Sequence, residues 1–261
     1  MQARISSHLT IEYEEAGDDG QPLVLLHAFP HNAAMWQPQL DALASQFHVI
    51  APDLYNFGPD ESTFTVEQMA ADVAALLDYL QIEERVVLGG LSMGGYVAMA
   101  FARQYPERLC ALILADTRAE ADTEEAQNTR NMLIEKAREE GAGSVWDAMK
   151  PKMFSPASRS NEEVLSFADA IAAQQSTAQV IGALQALRDR PDARESLRHV
   201  EVPALVIVGK DDVVTPPDFA QTLFEILPHA QLVTIPNAGH LSNIEQPVAF
   251  NSAVTQFVQS L

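Results

Sequence analysis

Residues 90–95 read Gly90-Leu91-Ser92-Met93-Gly94-Gly95, a serine set between glycines. The apolar, β-branched run Arg85-Val86-Val87-Leu88-Gly89 comes directly before it, and the helix-like stretch Tyr96-Val97-Ala98-Met99-Ala100-Phe101-Ala102 directly after. A strand, a sharp turn and a helix together hold a hydroxyl in the open at the carboxyl edge of a sheet, at the positive end of a helix dipole. Such a turn strains the serine backbone, and a side chain at Gly90 or Gly94 is expected to meet the neighbouring strand or helix. Ser92 is therefore a candidate nucleophile. The same six residues also describe an ordinary glycine-rich turn with a capping serine, so the assignment depends on a base, an acid and an oxyanion site.

Seven histidines compete for the role of base: His8, His27, His31, His48, His199, His229 and His240. His240 lies in Pro236-Asn237-Ala238-Gly239-His240, just past the strand-like run that ends at Ile235, and so on the same edge as Ser92. His229 precedes that run and belongs to the opposite edge. For the acid, Asp212 in Val208-Gly209-Lys210-Asp211-Asp212 best fits a carboxylate past a strand end, with Asp116 and Asp211 as alternatives. The acid would hold the imidazole in one tautomer and stabilise it when charged. The run ending at His27 leads into Ala28-Phe29-Pro30-His31. The N–H groups of Phe29 and Met93 are candidate oxyanion donors, whereas Pro30 has no N–H to give. His27 is expected to pack and hydrogen-bond beneath this loop, and His31 to line the pocket.

These residues need a scaffold. The first fifteen residues suggest a small antiparallel hairpin. Apolar runs at 22–27, 47–53, 85–91, 109–115, 202–209 and 231–235 then alternate with helical patterns at 34–45, 65–80, 96–102 and 217–227, and Gln246-Pro247 opens a last helix. Strands that are apolar throughout and separated by helices predict a mostly parallel sheet covered on both faces, an α/β architecture. The alternation stops at 118–198, which reads as helices near 122–140, 143–150, 161–173 and 175–188. The expected organisation is one sheet core, 1–117 and 199–261, carrying a helical cap at 118–198.

Serine, acid and histidine follow in that order with the cap between the first two. In this the chain resembles the α/β-hydrolase superfamily. The resemblance rests on Leu26-His27-Ala28-Phe29-Pro30, Gly90-Leu91-Ser92-Met93-Gly94-Gly95, Val208-Gly209-Lys210-Asp211-Asp212 and Asn237-Ala238-Gly239-His240. It implies an eight-stranded, mostly parallel sheet, no cofactor, and hydrolysis through an acyl-enzyme. The serine turn and the cap look similar to the 3-oxoadipate enol-lactonase and small carboxylesterase branch. Two stretches depart from the usual family pattern: His27-Ala28 stands where His-Gly is usual, and Asp53-Leu54-Tyr55-Asn56-Phe57-Gly58 where Asp-Leu-Arg-Gly-Phe-Gly is frequent. Asn56 tolerates the left-handed conformation that such a turn needs.

Composition narrows the partners. The 261 residues carry a formal charge of −20, which disfavours nucleic acid and acidic membrane surfaces. The amino terminus has no apolar signal core and no stretch reaches the ~18 apolar residues of a membrane span, so a cytoplasmic location is expected. The single cysteine, Cys110, lies in a strand-like run and reads as a packed thiol, and no histidine, cysteine or carboxylate cluster has zinc-like spacing. Segment 118–198 holds 11 of the 16 Lys and Arg. Arg118, Lys150, Lys152, Arg188 and Arg190 are candidate anchors for a substrate carboxylate, against the simpler reading that they pair with neighbouring acids. Trp146, Met149, Met153 and Phe154 are expected to form the apolar underside of the cap and to touch substrate. The expected activity is hydrolysis of a small-molecule ester or lactone. A cofactor-free perhydrolase and a hydrolase-fold ligand receptor with little turnover are the alternatives.

Overall fold

The apolar runs become the strands of a single eight-stranded sheet in the computed structural model, which describes residues 1–55 and 64–261. In chain order these are β1 (Gln2–Arg4), β2 (Thr10–Ala16), β3 (Pro22–Leu26), β4 (His48–Pro52), β5 (Val86–Leu91), β6 (Leu109–Ala115), β7 (Ala204–Gly209) and β8 (Ala230–Ile235). Their spatial order is β1-β2-β4-β3-β5-β6-β7-β8. β1 and β2 pair antiparallel, as does β2 with β4, and the remaining neighbours are parallel. β2 alternates Ile11 and Tyr13 inward with Glu12 and Glu14 outward, as a half-solvated antiparallel strand does. β3, β5 and β7 are buried at every position, which explains their unbroken apolar sequences. Cys110 sits on β6 but is half-buried and not fully packed, and burial still pushes its thiol up from the usual range.

Period-two alternation sends successive side chains to opposite faces, so the sheet carries two cores. Val24, Leu26, Val86 and Leu88 face α2 (Val66–Tyr79), α3 (Met93–Gln104) and α9 (Pro217–Ile226). Leu23, Leu25 and Val87 face α1 (Gln37–Leu43) and α11 (Pro247–Gln259). The helix expected at 34–45 divides into a 3-10 turn, Ala33–Trp36, and α1. Pro38 is the cause: it cannot donate from a helix interior but is tolerated in a first turn. Thr65 caps α2 by accepting the Gln68 N–H at 3.1 Å. Asn56, Phe57 and Gly58 of the turn discussed above lie outside the described residues.

Between β6 and β7 the chain forms α4 (Glu124–Glu140), α5 (Ala142–Met153), α6 (Glu162–Ala172), α7 (Thr177–Asp189) and the short α8 (Arg194–Leu197). α5 runs through Pro151 to Met153, beyond its expected end at 150. A further short helix, α10 (Ser242–Glu245), follows His240 and was not expected. Among the described residues no helix is long and apolar enough to cross a membrane. The registers Leu26↔Gly90, Leu91↔Ala115, Ala115↔Ile207 and Gly209↔Ile235 bring the segments after β3, β5, β6, β7 and β8 to one edge of the sheet.

Candidate active site

Ser92 occupies the turn between β5 and α3 with φ 53° and ψ −110°. A non-glycine residue at positive φ costs on the order of 1–3 kcal/mol, so the surroundings must impose it. They do so by close approach. A Cβ on Gly90 would lie 2.1 Å from the Gly94 carbonyl oxygen, and one on Gly94 would lie 2.0 Å from that of Leu26. The Ser92 N–H donates to the Ala115 carbonyl at 2.9 Å, and the Thr117 hydroxyl donates to the Ser92 carbonyl at 2.9 Å. The backbone is thereby tied to β6 while the side chain projects from the edge.

The Ser92 hydroxyl meets His240 Nε2 at 2.8 Å, and His240 Nδ1 meets Asp212 Oδ2 at 2.9 Å. Asp212 accepts only, so Nδ1 carries the proton and Nε2 is free to accept from Ser92. Asp212 is itself held by the N–H groups of Val214 (2.7 Å) and Thr215 (3.0 Å) and by the Thr215 hydroxyl (2.7 Å). Burial alone would raise the Asp212 carboxyl, but His240 and these donors outweigh it and its pKa is lowered. Burial alone would lower His240, yet facing Asp212, with Asp116 and Glu245 further off, it is raised above the usual 6.5.

Of the two alternative acids, Asp116 accepts the Gly209 N–H at 2.7 Å and the Ser242 hydroxyl. Burial, then the neighbouring Asp212 charge, pushes Asp116 up to about 8. Asp211 contributes its N–H to the Ala238 carbonyl at 2.8 Å. Among the other histidines, His8, His199 and His229 are exposed and His48 pairs with Glu15 at 2.6 Å. His27 accepts the Leu54 N–H at Nε2 (2.9 Å), so its Nδ1–H donates to the Ala28 carbonyl (3.0 Å). Burial lowers this ring to about 4, and it packs beneath the loop as expected.

The cavity beside Ser92 holds about 50 Å³ and is lined by Phe29, Ser92, Tyr96, Met149, Thr215 and His240, together with Arg118, Arg130, Leu187 and Val214. A larger cleft of about 320 Å³, near Met1, Glu12 and Asn32, contains none of the three residues of the hydrogen-bonded chain. Phe29 thus reaches the site. Met93 opens α3, where the first N–H groups have no partner within the helix.

Met149 lines this cavity, whereas His31, Trp146, Met153 and Phe154 do not. Those four are buried beneath the insertion as a packed layer, with Trp146 edge-on to both His31 (4.9 Å) and Phe154 (6.2 Å). The Trp146 indole N–H donates to Asp169 at 2.7 Å, which fixes the ring in that layer. Neither nitrogen of His31 makes a hydrogen bond, although the Ala168 backbone slightly favours its charged form; burial dominates and lowers the ring to about 3.

The cations divide similarly. Lys150 pairs with Asp169 (2.7 Å), Arg188 pairs with Asp189 (2.7 Å), and Lys152 is exposed. Arg118, Arg130 and Arg190 converge on the buried carboxylate of Asp122. The Arg190 guanidinium lies 4.1 Å from the centre of the Tyr96 ring, while Arg118 and Arg130 border the cavity. Arg118 Nε is buried without a hydrogen-bond partner. Arg130 was missed by sequence reasoning. It lies on a charged, outwardly ordinary helix, and only the packing of α4 turns it toward Ser92.

A model of the alpha/beta hydrolase family matches residues 23–253. A 3-oxoadipate enol-lactonase of Acinetobacter baylyi is 31% identical over 251 residues, covering 94% of this chain and 92% of the relative. Among solved structures, a thermophilic esterase of Thermogutta terrifontis, described with malate bound, superposes with a TM-score of 0.93 at 36% identity, over 100% of this chain and 98% of the other. The enol-lactonase of Burkholderia xenovorans gives 0.90 at 28% identity, over 99% and 100%. With the sheet order, the serine turn and these matches together, the chain belongs to the alpha/beta hydrolase family.

Proposed function

We propose that this chain is a serine hydrolase of small carboxylic esters or lactones, acting through an acyl-enzyme on Ser92. The observation that carries the proposal is the continuous path from the Ser92 hydroxyl through His240 to Asp212, with spacings of 2.8 and 2.9 Å. Neutral His240 takes the hydroxyl proton as Ser92 attacks the carbonyl. The imidazolium that forms is stabilised by Asp212, and the N–H groups of Phe29 and Met93 receive the oxyanion. His240 then protonates the departing alkoxide, activates water, and returns the proton to Ser92 as the acid leaves. In a lactone the departing alkoxide stays attached to the acyl group, so one molecule leaves at the end. Every proton in the cycle starts and ends on a group of the chain, the substrate or water, and the proposal calls for no cofactor.

Segment 118–198 serves in this reading as the cap over the cleft, on a core formed by 1–117 and 199–261. A second observation narrows the substrate. Arg118 and Arg130 border the same cavity as Ser92, and three guanidinium groups share the single Asp122 carboxylate. This favours an ester or lactone that also bears a carboxylate, in keeping with the malate recorded on the Thermogutta terrifontis esterase.

Hydrolysis of p-nitrophenyl acetate and butyrate by the wild type and by Ser92→Ala tests the core of the proposal. Turnover is expected to fall at least about 10³-fold in the variant, together with loss of fluorophosphonate labelling. Wild-type turnover that survives in Ser92→Ala would remove Ser92 from the mechanism.

A further inference from the structure

We propose that Glu245 is a positioning residue that locks the loop carrying His240 to the helical insertion, so that the base is held from the insertion as well as from the sheet. The inference rests on reading His240 as the base. Glu245 ends α10 and is buried. Its Oε1 accepts the Gly239 N–H at 2.7 Å, and its Oε2 accepts the Ser155 N–H at 2.8 Å. Gly239 immediately precedes His240, and Ser155 lies two residues past the end of α5. One carboxylate therefore spans two segments that are 84 residues apart in sequence.

Two further bonds run beside it. The His240 N–H donates to the Met153 carbonyl at 2.9 Å, and the Ser155 hydroxyl donates to the Asn237 carbonyl at 3.1 Å. The segments touch so closely that a Cβ on Gly239 would lie 2.6 Å from the Ser155 nitrogen and 2.8 Å from the Phe154 carbonyl carbon. The chemistry of the clamp is specific. Both partners are N–H donors, so both ends of the side chain must accept, which a carboxylate does and an amide does not. Glutamine at 245 would turn an NH₂ toward one of two buried N–H groups. The desolvation cost of that unpaired donor would be relieved by the loop moving away.

Glu245 touches no reacting atom; its charge is the last of the causes that raise His240, so at a pH above that titration its effect reaches the chemistry through the position of His240. Reactions of this type lose rate steeply when a reacting group is displaced, by about 10² for a shift near 1 Å. Glu245→Gln should therefore lower kcat roughly 10- to 100-fold on p-nitrophenyl butyrate and slow fluorophosphonate labelling of Ser92 by a similar factor. KM should stay within about twofold, at a temperature where the melting curve shows the variant fully folded. An unchanged kcat, or a loss that appears only in KM, overturns the proposal. Amide hydrogen exchange on the wild type serves if the variant does not fold. Gly239 and Ser155 are expected to exchange at least about 100-fold below the unprotected rate, and exchange within about tenfold of that rate overturns the clamp. Normal labelling and turnover by the wild type alongside an unaffected Glu245→Gln would sink this inference alone. Wild-type turnover retained by Ser92→Ala would sink the reading of the site beneath it.

Discussion

The carboxyl edge of the sheet and the inner face of the insertion border the same cavity but are built on opposite terms. At the sheet edge the polar groups of the reacting chain are partnered. Ser92 is matched to His240 and His240 to Asp212, while Asp212 accepts three further hydrogen bonds. On the insertion side three arginines crowd one carboxylate, and Arg118 keeps a buried N–H without a partner. A partnered cluster holds its geometry without a ligand. A cluster with donors to spare is one that, under the proposed function, takes a further partner from the substrate. Under the proposed function, chemistry belongs to the sheet and selection to the insertion.

The largest effect should come from breaking the partnered side. Asp212→Asn is expected to lower kcat about 10⁴-fold for every ester, because the amide allows the wrong imidazole tautomer. The wild-type pH profile should show the same pair. His240 must be neutral to accept a proton and its pKa is raised above 6.5, so kcat/KM should fall as pH drops through that raised value. In Asp212→Asn the limb should move to lower pH. A variant that keeps both rate and limb would erase the contrast between the two regions.

Arg118→Gln probes the other side with a smaller, selective effect. Charge-assisted hydrogen bonds contribute ~1.5–3 kcal/mol, so kcat/KM for a carboxylate-bearing ester should fall about 10- to 100-fold relative to a neutral ester of the same size. The fold should survive, since Arg130 and Arg190 still pair with Asp122. Equal losses on both esters would place Arg118 in structure and not in selection. The smallest effect belongs to Ser176, which caps α7 by accepting the Gln179 N–H at 3.2 Å within a full capping box. Ser176→Ala should cost about 1 kcal/mol in a denaturant melt while kcat stays near the wild-type value.

The same contrast explains what was legible before the structure. Ser92, Asp212 and His240 each sit in a short motif at the end of an apolar strand, and parallel strands place all such ends on one edge. Local sequence therefore sufficed to bring together groups separated by 148 and 28 residues. The family followed from those motifs and their order, the eight-stranded sheet was what that resemblance implied, and 118–198 stood out as helical because the strand–helix alternation stops there. The insertion's inner face did not. Trp146, Met153 and Phe154 look like pocket residues because they are apolar, but apolar side chains equally well fill the layer between α5 and the sheet. Arg130 and Glu245 gave no local signal, because each acquires its role from a distant segment: one from the packing of α4, the other from two backbone N–H groups.

The placement of the insertion has a consequence for exchange between proteins. It leaves the sheet at Ala115 and returns at Ala204, on strands that lie side by side whatever connects them. Closing a loop costs only ~0.6 kcal/mol more for each doubling of its length. The sheet therefore sets few limits on how long or how helical that connection is, and a different insertion can in principle be spliced in without disturbing the strands. The exception is local: the present segment gives the Ser155 N–H to Glu245 and the Met153 carbonyl to the His240 N–H, so, if Glu245 positions His240 as proposed, a transplanted segment that lacks them would bring a new specificity and cost the recipient its base.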